Sequence, residues 1–90
     1  MPVIECTDLL KRYFPELTAS EVSGTSLYEI VMELDARHPG IAKYILDDQK
    51  AVRKHVAVAI DGAFIREKEA RNISIHEDSN VLILQALSGG

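Results

Sequence analysis

Ninety residues and 10.0 kDa, 47% hydrophobic and 27% charged, describe one ordinary globular domain rather than a disordered chain. A net charge of −4 excludes the basic footprint of a nucleic-acid binder and disfavours an anionic membrane surface. The single cysteine, Cys6, excludes an internal disulfide and any multi-cysteine metal or iron–sulfur site. Met1 to Glu5 lacks the basic and apolar pattern of a signal peptide, and no apolar stretch approaches the ~18 residues of a membrane span. The cytoplasm is the expected compartment.

Val3 to Cys6 reads as a short strand, followed by a less regular stretch from Thr7 to Phe14 that closes at Pro15. Leu17 to Val22 is a candidate second strand with weak alternation. Ser26 and Glu29 have capping-box spacing, in which each side chain satisfies a free N–H at a helix start. Leu27, Ile30, Val31 and Leu34 follow at i, i+3, i+4 and i+7 and form one helical face. His38-Pro39-Gly40 stops this main helix. Ile41, Tyr44 and Ile45 repeat helical spacing more briefly, and Asp47 to Lys50 end the repeat.

Val56 to Ile60 is a strand whose large residues (Val56, Val58, Ile60) alternate with alanines, which assigns the large set to the helix-covered face. Asp61-Gly62 is a two-residue hairpin signal, and Ala63 to Arg66 returns as the partner strand. One of Phe64 and Ile65 enters the core, and the sequence leaves open which. Asn72 to Ile75 is a short edge strand or a turn. Val81 to Ala86 is the last strand, with Val81 and Ile83 on one face and Leu82 and Leu84 on the other. One main helix and a second short one on a mixed sheet give an α+β domain over residues 1–86. Residues 87–90 are expected to form a flexible tail ending Gly-Gly.

That tail, Leu87-Ser88-Gly89-Gly90, offers a carboxylate on a main chain that fits a narrow channel, because its glycines carry no Cβ. A carboxylate is a poor acyl donor until its oxygen is converted to a better leaving group. Adenylation does this, and a sulfur nucleophile can then displace AMP to leave a thiocarboxylate. The chain has no glycine-rich phosphate loop or Walker motif, so a second protein must use the ATP.

The β-β-α-β-β order, the helix opening at Ser26-Leu27, the Ile60-Asp61-Gly62 hairpin, the strand Val81 to Leu84 and the Leu87-Ser88-Gly89-Gly90 end together resemble the ubiquitin-like β-grasp sulfur carriers of the MoaD/ThiS family. The resemblance spans essentially the whole chain. It implies a non-catalytic carrier that binds no cofactor itself. Gly90 would be the thiocarboxylate attachment point, and Gly89 its channel-fitting neighbour. Its implied partners are a ubiquitin-activating-like adenylating enzyme, which uses ATP, and a sulfur-accepting synthase. The segment Gly40 to His55 is more like the cysteine-biosynthesis and molybdopterin types than the shorter thiamine carriers. The tail departs from the Pro-Pro-Val-Ala-Gly-Gly form common in molybdopterin small subunits. Alternatives are the small subunit of molybdopterin synthase and a ubiquitin-like protein modifier or interaction module.

Gly89, Ser88, Leu87, Leu84 and Leu82 are the candidate partner-binding residues. Leu82 and Leu84 form a docking patch, are ordinary exposed leucines, or are covered by another part of the chain, such as the Ile41 segment. Cys6, in a strand without a basic neighbour, reads as a buried inert thiol rather than a persulfide relay. His38, His55 and His76 lack metal-ligand spacing. Asp47-Asp48, Glu77-Asp78 and Arg53-Lys54-His55 read as solvated turns and loops, the last with the option of contacting an acidic partner.

Overall fold

A computed structural model describes residues 1–85. Its elements, in chain order, are β1 (Val3–Cys6), α1 (Asp8–Tyr13), β2 (Ser20–Glu21), α2 (Leu27–Arg37), α3 (Ala42–Ile45), β3 (Val56–Ile60), β4 (Ala63–Phe64), a 3₁₀ turn (Ala70–Asn72) and β5 (Asn80–Gln85). The strands form one mixed sheet in the order β2-β1-β5-β3-β4. β5 runs parallel to β1, with Ile4 opposite Val81 and Cys6 opposite Ile83. It runs antiparallel to β3, with Val58 opposite Ile83 and Ile60 opposite Val81.

Opposed residues share a face, so Ile4, Cys6, Val58, Val81 and Ile83 form one apolar surface. Leu27, Ile30, Val31 and Leu34 of α2 lie in the same buried cluster, each with no exposed surface. Ile41 and Ile45 around α3, Leu10 of α1, and Ile73 and Ile75 close its margins. Val56 and Val58 are buried as expected, and Ile60 is half-buried against the core.

The start of α2 is fixed from two directions. Glu29 N–H donates to Ser26 Oγ at 3.2 Å. The return contact lands one residue earlier than a standard box, with Thr25 N–H donating to Glu29 Oε1 at 2.7 Å. Ser26 instead bridges Ser74, while Leu27 N–H donates to Ile73 and Ile75 N–H to Thr25. Residues 72–75 are therefore neither a full strand nor a free turn: they form the end of the 3₁₀ turn and a single bridge that pins α2. At the other end, Asp35 Oδ1 accepts from Gly40 N–H (3.1 Å) and Ala42 N–H (3.0 Å), tying α2 to α3.

Three further local readings change, the first being that the partner strand of the hairpin ends at Phe64 rather than running to Arg66. Thr7 to Phe14 is mostly helical rather than irregular, but six residues that bury only Leu10 carry no visible period. The second strand shrinks to Ser20–Glu21, paired antiparallel with β1. The Asp61-Gly62 turn has the two positive φ angles, 51° and 86°, that a two-residue hairpin requires.

Cys6 is buried, and burial, reinforced by the Glu5 charge and opposed by Lys11, pushes its thiol up to about 12. Because the fold raises this value, the contribution to stability is complete below the ordinary thiol pKa of 9.0. It is lost as pH climbs toward about 12. The stability advantage of wild type over Cys6→Ala should therefore narrow across that interval, as measured by urea unfolding at a series of pH values. Gly24 has φ 148°, and a Cβ there would lie 2.9 Å from both Glu29 Cβ and Ile30 Cγ2. Gly24→Ala should cost about 1–3 kcal/mol in the same assay, because the new methyl strikes the first turn of α2.

Candidate functional site

β5 occupies the centre of the sheet, hydrogen-bonded on both sides, and its last described residue is Gln85. Leu87, Ser88, Gly89 and Gly90 lie outside the described residues, as does the boundary between domain and tail. Leu82 and Leu84 are described, and both point away from α2.

Register places Leu82 between Glu5 of β1 and Ala59 of β3, with Phe64 of β4 beyond Ala59. Leu84 stands opposite Ala57. The outer face thus carries Leu82, Leu84, Ala57, Ala59 and Phe64 in two adjoining rows. Leu82 and Leu84 are half-buried, whereas Phe64 is 69% exposed. The Ile41 segment does not cover them, because Ile41 belongs to the core on the opposite side of the sheet.

Charge differs across this face. Lys54, His55 and Lys68 surround a depression of about 470 Å³ that also contains Ala57, Phe64 and Leu84. Glu5 borders the smaller hollow beside Leu82. Lys54 and His55 belong to the basic cluster that the sequence offers to an acidic partner, whereas Phe64 and Lys68 are members the sequence did not mark. The hairpin supplied the signal for Phe64: a two-residue turn at Asp61-Gly62 pairs Ala59 with Phe64, and Ala59 faces away from Val58. Ile65 takes the inner side and donates its N–H to Val58.

The other candidates serve the fold. Asp47 accepts from the Gln49 and Ala51 N–H groups, and these bonds, led by that from Ala51, hold its carboxyl below the usual range. Glu77 and Asp78 are exposed in a turn. His38 closes α2, donating its N–H to Leu34, with its ring edge-on to Phe14. The inner-face position of Cys6 keeps its thiol from the outer surface. Among the described residues, no three His, Cys, Asp or Glu side chains converge as metal ligands, and no helix is long and apolar enough to cross a membrane.

Solved structures share this architecture. A chain of the Amycolatopsis orientalis BexX/CysO complex aligns with a TM-score of 0.82 at 20% identity, covering 100% of both chains. Mycobacterium tuberculosis CysO, described as an antigen, aligns at 0.81 and 18% identity over 97% of this chain and 100% of its own. Small archaeal modifier protein 1 from Methanosarcina acetivorans aligns at 0.77 and 19% identity over 99% and 95%. At these identities the likeness establishes the ubiquitin-like β-grasp fold. No curated protein matches the chain significantly by sequence. The ThiS family model, however, matches residues 7–90, from the end of β1 through the Gly-Gly pair. With the sheet order, the α2 packing and this match in agreement, the chain belongs to the ThiS family of ubiquitin-like sulfur carriers.

Proposed function

We propose that this protein carries sulfur as a thiocarboxylate on Gly90, for delivery into the biosynthesis of a cofactor or an amino acid. The observation that carries this reading is the family match, which extends through Gly89 and Gly90. An adenylating partner transfers AMP from ATP to the Gly90 carboxylate and releases pyrophosphate. A sulfide-level donor then attacks the carbonyl carbon, AMP leaves, and sulfur stays on the chain. A synthase-bound acceptor takes that sulfur, and hydrolysis returns the carboxylate.

The carrier itself supplies no acid, base or metal to these steps. Its contribution is recognition: the outer-face residues Leu82, Leu84 and Phe64 dock a partner while Leu87, Ser88, Gly89 and Gly90 enter that partner's channel. The lysine rim favours a partner whose surface is acidic beside an apolar pocket. A second reading, protein modification through an isopeptide bond from Gly90 to lysine, is supported by the fold shared with small archaeal modifier protein 1.

Intact mass spectrometry after incubation with the cognate activating enzyme, ATP and sulfide should show a gain equal to one oxygen replaced by sulfur. Deleting Gly90 should abolish that gain and leave thermal unfolding unchanged; lysine-linked conjugates in cells without the mass gain would favour the modifier. Phe64→Asp and Leu84→Asp should each slow thiocarboxylate formation about tenfold or more, as expected for anchors near the centre of an interface. Phe64→Asp should change stability by no more than ~0.5 kcal/mol, as expected for an exposed position.

A further inference from the structure

A second surface lies on the helical side of the sheet, apart from the outer face and independent of the tail chemistry. α1 ends at Tyr13 and α3 begins after Pro39-Gly40, so their side chains meet at one end of the fold. Tyr13 and Tyr44 stack with centroids 5.2 Å apart and planes 21° from parallel. Phe14 stands edge-on to Tyr44 at 5.7 Å. Together with Pro39, Gly40 and Lys43, these rings line a groove of about 490 Å³.

Core packing does not account for all of it. Phe14 and Tyr44 rest against the core, but Tyr13 does not belong to that packing and is 58% exposed. The lining contains one formal charge, that of Lys43, and no acid, in a chain whose net charge is −4. Asp35, in the last turns of α2, accepts at Oδ1 from the Gly40 and Ala42 N–H groups and lies with Asp47 and Asp48 in a separate hollow that Lys43 also borders.

The backbone restricts the ligand further. Phe14 N–H donates to Leu10, Lys43 N–H to Gly40 and Tyr44 N–H to Ile41, while Gly40 N–H is held by Asp35. The Lys43 carbonyl already accepts from Arg53 Nε at 2.6 Å. A peptide strand adding to an edge needs free backbone donors, and those of Phe14, Gly40, Lys43 and Tyr44 are already engaged, while Pro39 has none. Proline-rich segments need none: they are preformed in an extended helix without internal hydrogen bonds and pack their rings on aromatic faces. We infer that the Tyr13–Phe14–Pro39–Tyr44 groove binds an acidic, proline-rich segment of a partner protein, with prolines on the rings and a carboxylate at Lys43.

The test is an NMR titration of the full chain with a synthetic peptide of alternating Pro-Pro and Glu residues, and with a counterpart carrying Lys in place of Glu. Saturable shifts of the Tyr13 and Tyr44 ring signals are expected with the acidic peptide, and at least ~tenfold weaker binding of the lysine peptide. Tyr13→Ala should weaken the acidic peptide about tenfold, a change within the worth of an aromatic anchor. Lys43→Glu, at an exposed position, should reverse the preference between the two peptides while leaving the amide spectrum folded. No saturable shift, equal binding of both peptides, or shifts centred on Leu82, Leu84 and Phe64 would overturn the proposal. So would ring signals that change on dilution, which indicates a second copy, or on deletion of residues 86–90, which indicates the chain's own end.

Discussion

The pairing of β5 between β1 and β3 is the constraint on which the rest depends. β1 and β5 come from opposite ends of the chain yet lie parallel, from Val3 beside Asn80 to Cys6 beside Ile83. Parallel neighbours cannot be joined by a tight turn, so the chain between them must include a crossover over the sheet. α2 makes that crossing and buries Leu27, Ile30, Val31 and Leu34 on the inner face. Fixing so distant a pair costs loop-closure entropy, and the shared core of Ile4, Cys6, Val58, Val81 and Ile83 offsets it.

The same arrangement gives the sheet two chemically different faces. With the helices gathered on one side, the opposite face retains Leu82, Leu84 and Phe64 within reach of solvent. The central strand has no free edge, so it presents side chains rather than unpaired backbone on that face. Other reactive side chains are already engaged: burial keeps the Cys6 thiol protonated, and the Asp47 carboxylate is occupied by the N–H groups of its own turn.

Much of this was legible in residue spacing. The period of Leu27, Ile30, Val31 and Leu34 identified both α2 and its buried face, and Ser26 marked its start. Asp61-Gly62 identified the hairpin, because few residue pairs tolerate two positive φ angles. Alternation of Val with Ala in β3 identified its inward side. By contrast, α1 buries only Leu10 within its six residues, and so short an element forms because Phe14 and Leu10 are held by the core, not because of a local pattern. The strand at Ser20–Glu21 is likewise created by its neighbour β1.

The sequence alone therefore determined which segments are amphipathic, where the main helix begins, and that the last strand is apolar on both sides. Local sterics and burial periodicity act between residues a few positions apart, and such effects can be read along a chain. Only the tertiary structure decided that Leu82, Leu84 and Phe64 share an uncovered face, and that Tyr13, Phe14 and Tyr44 meet at one end. Those neighbours are brought together by strand register and by the packing of α1 against α3, and contacts between distant segments leave no period in the sequence.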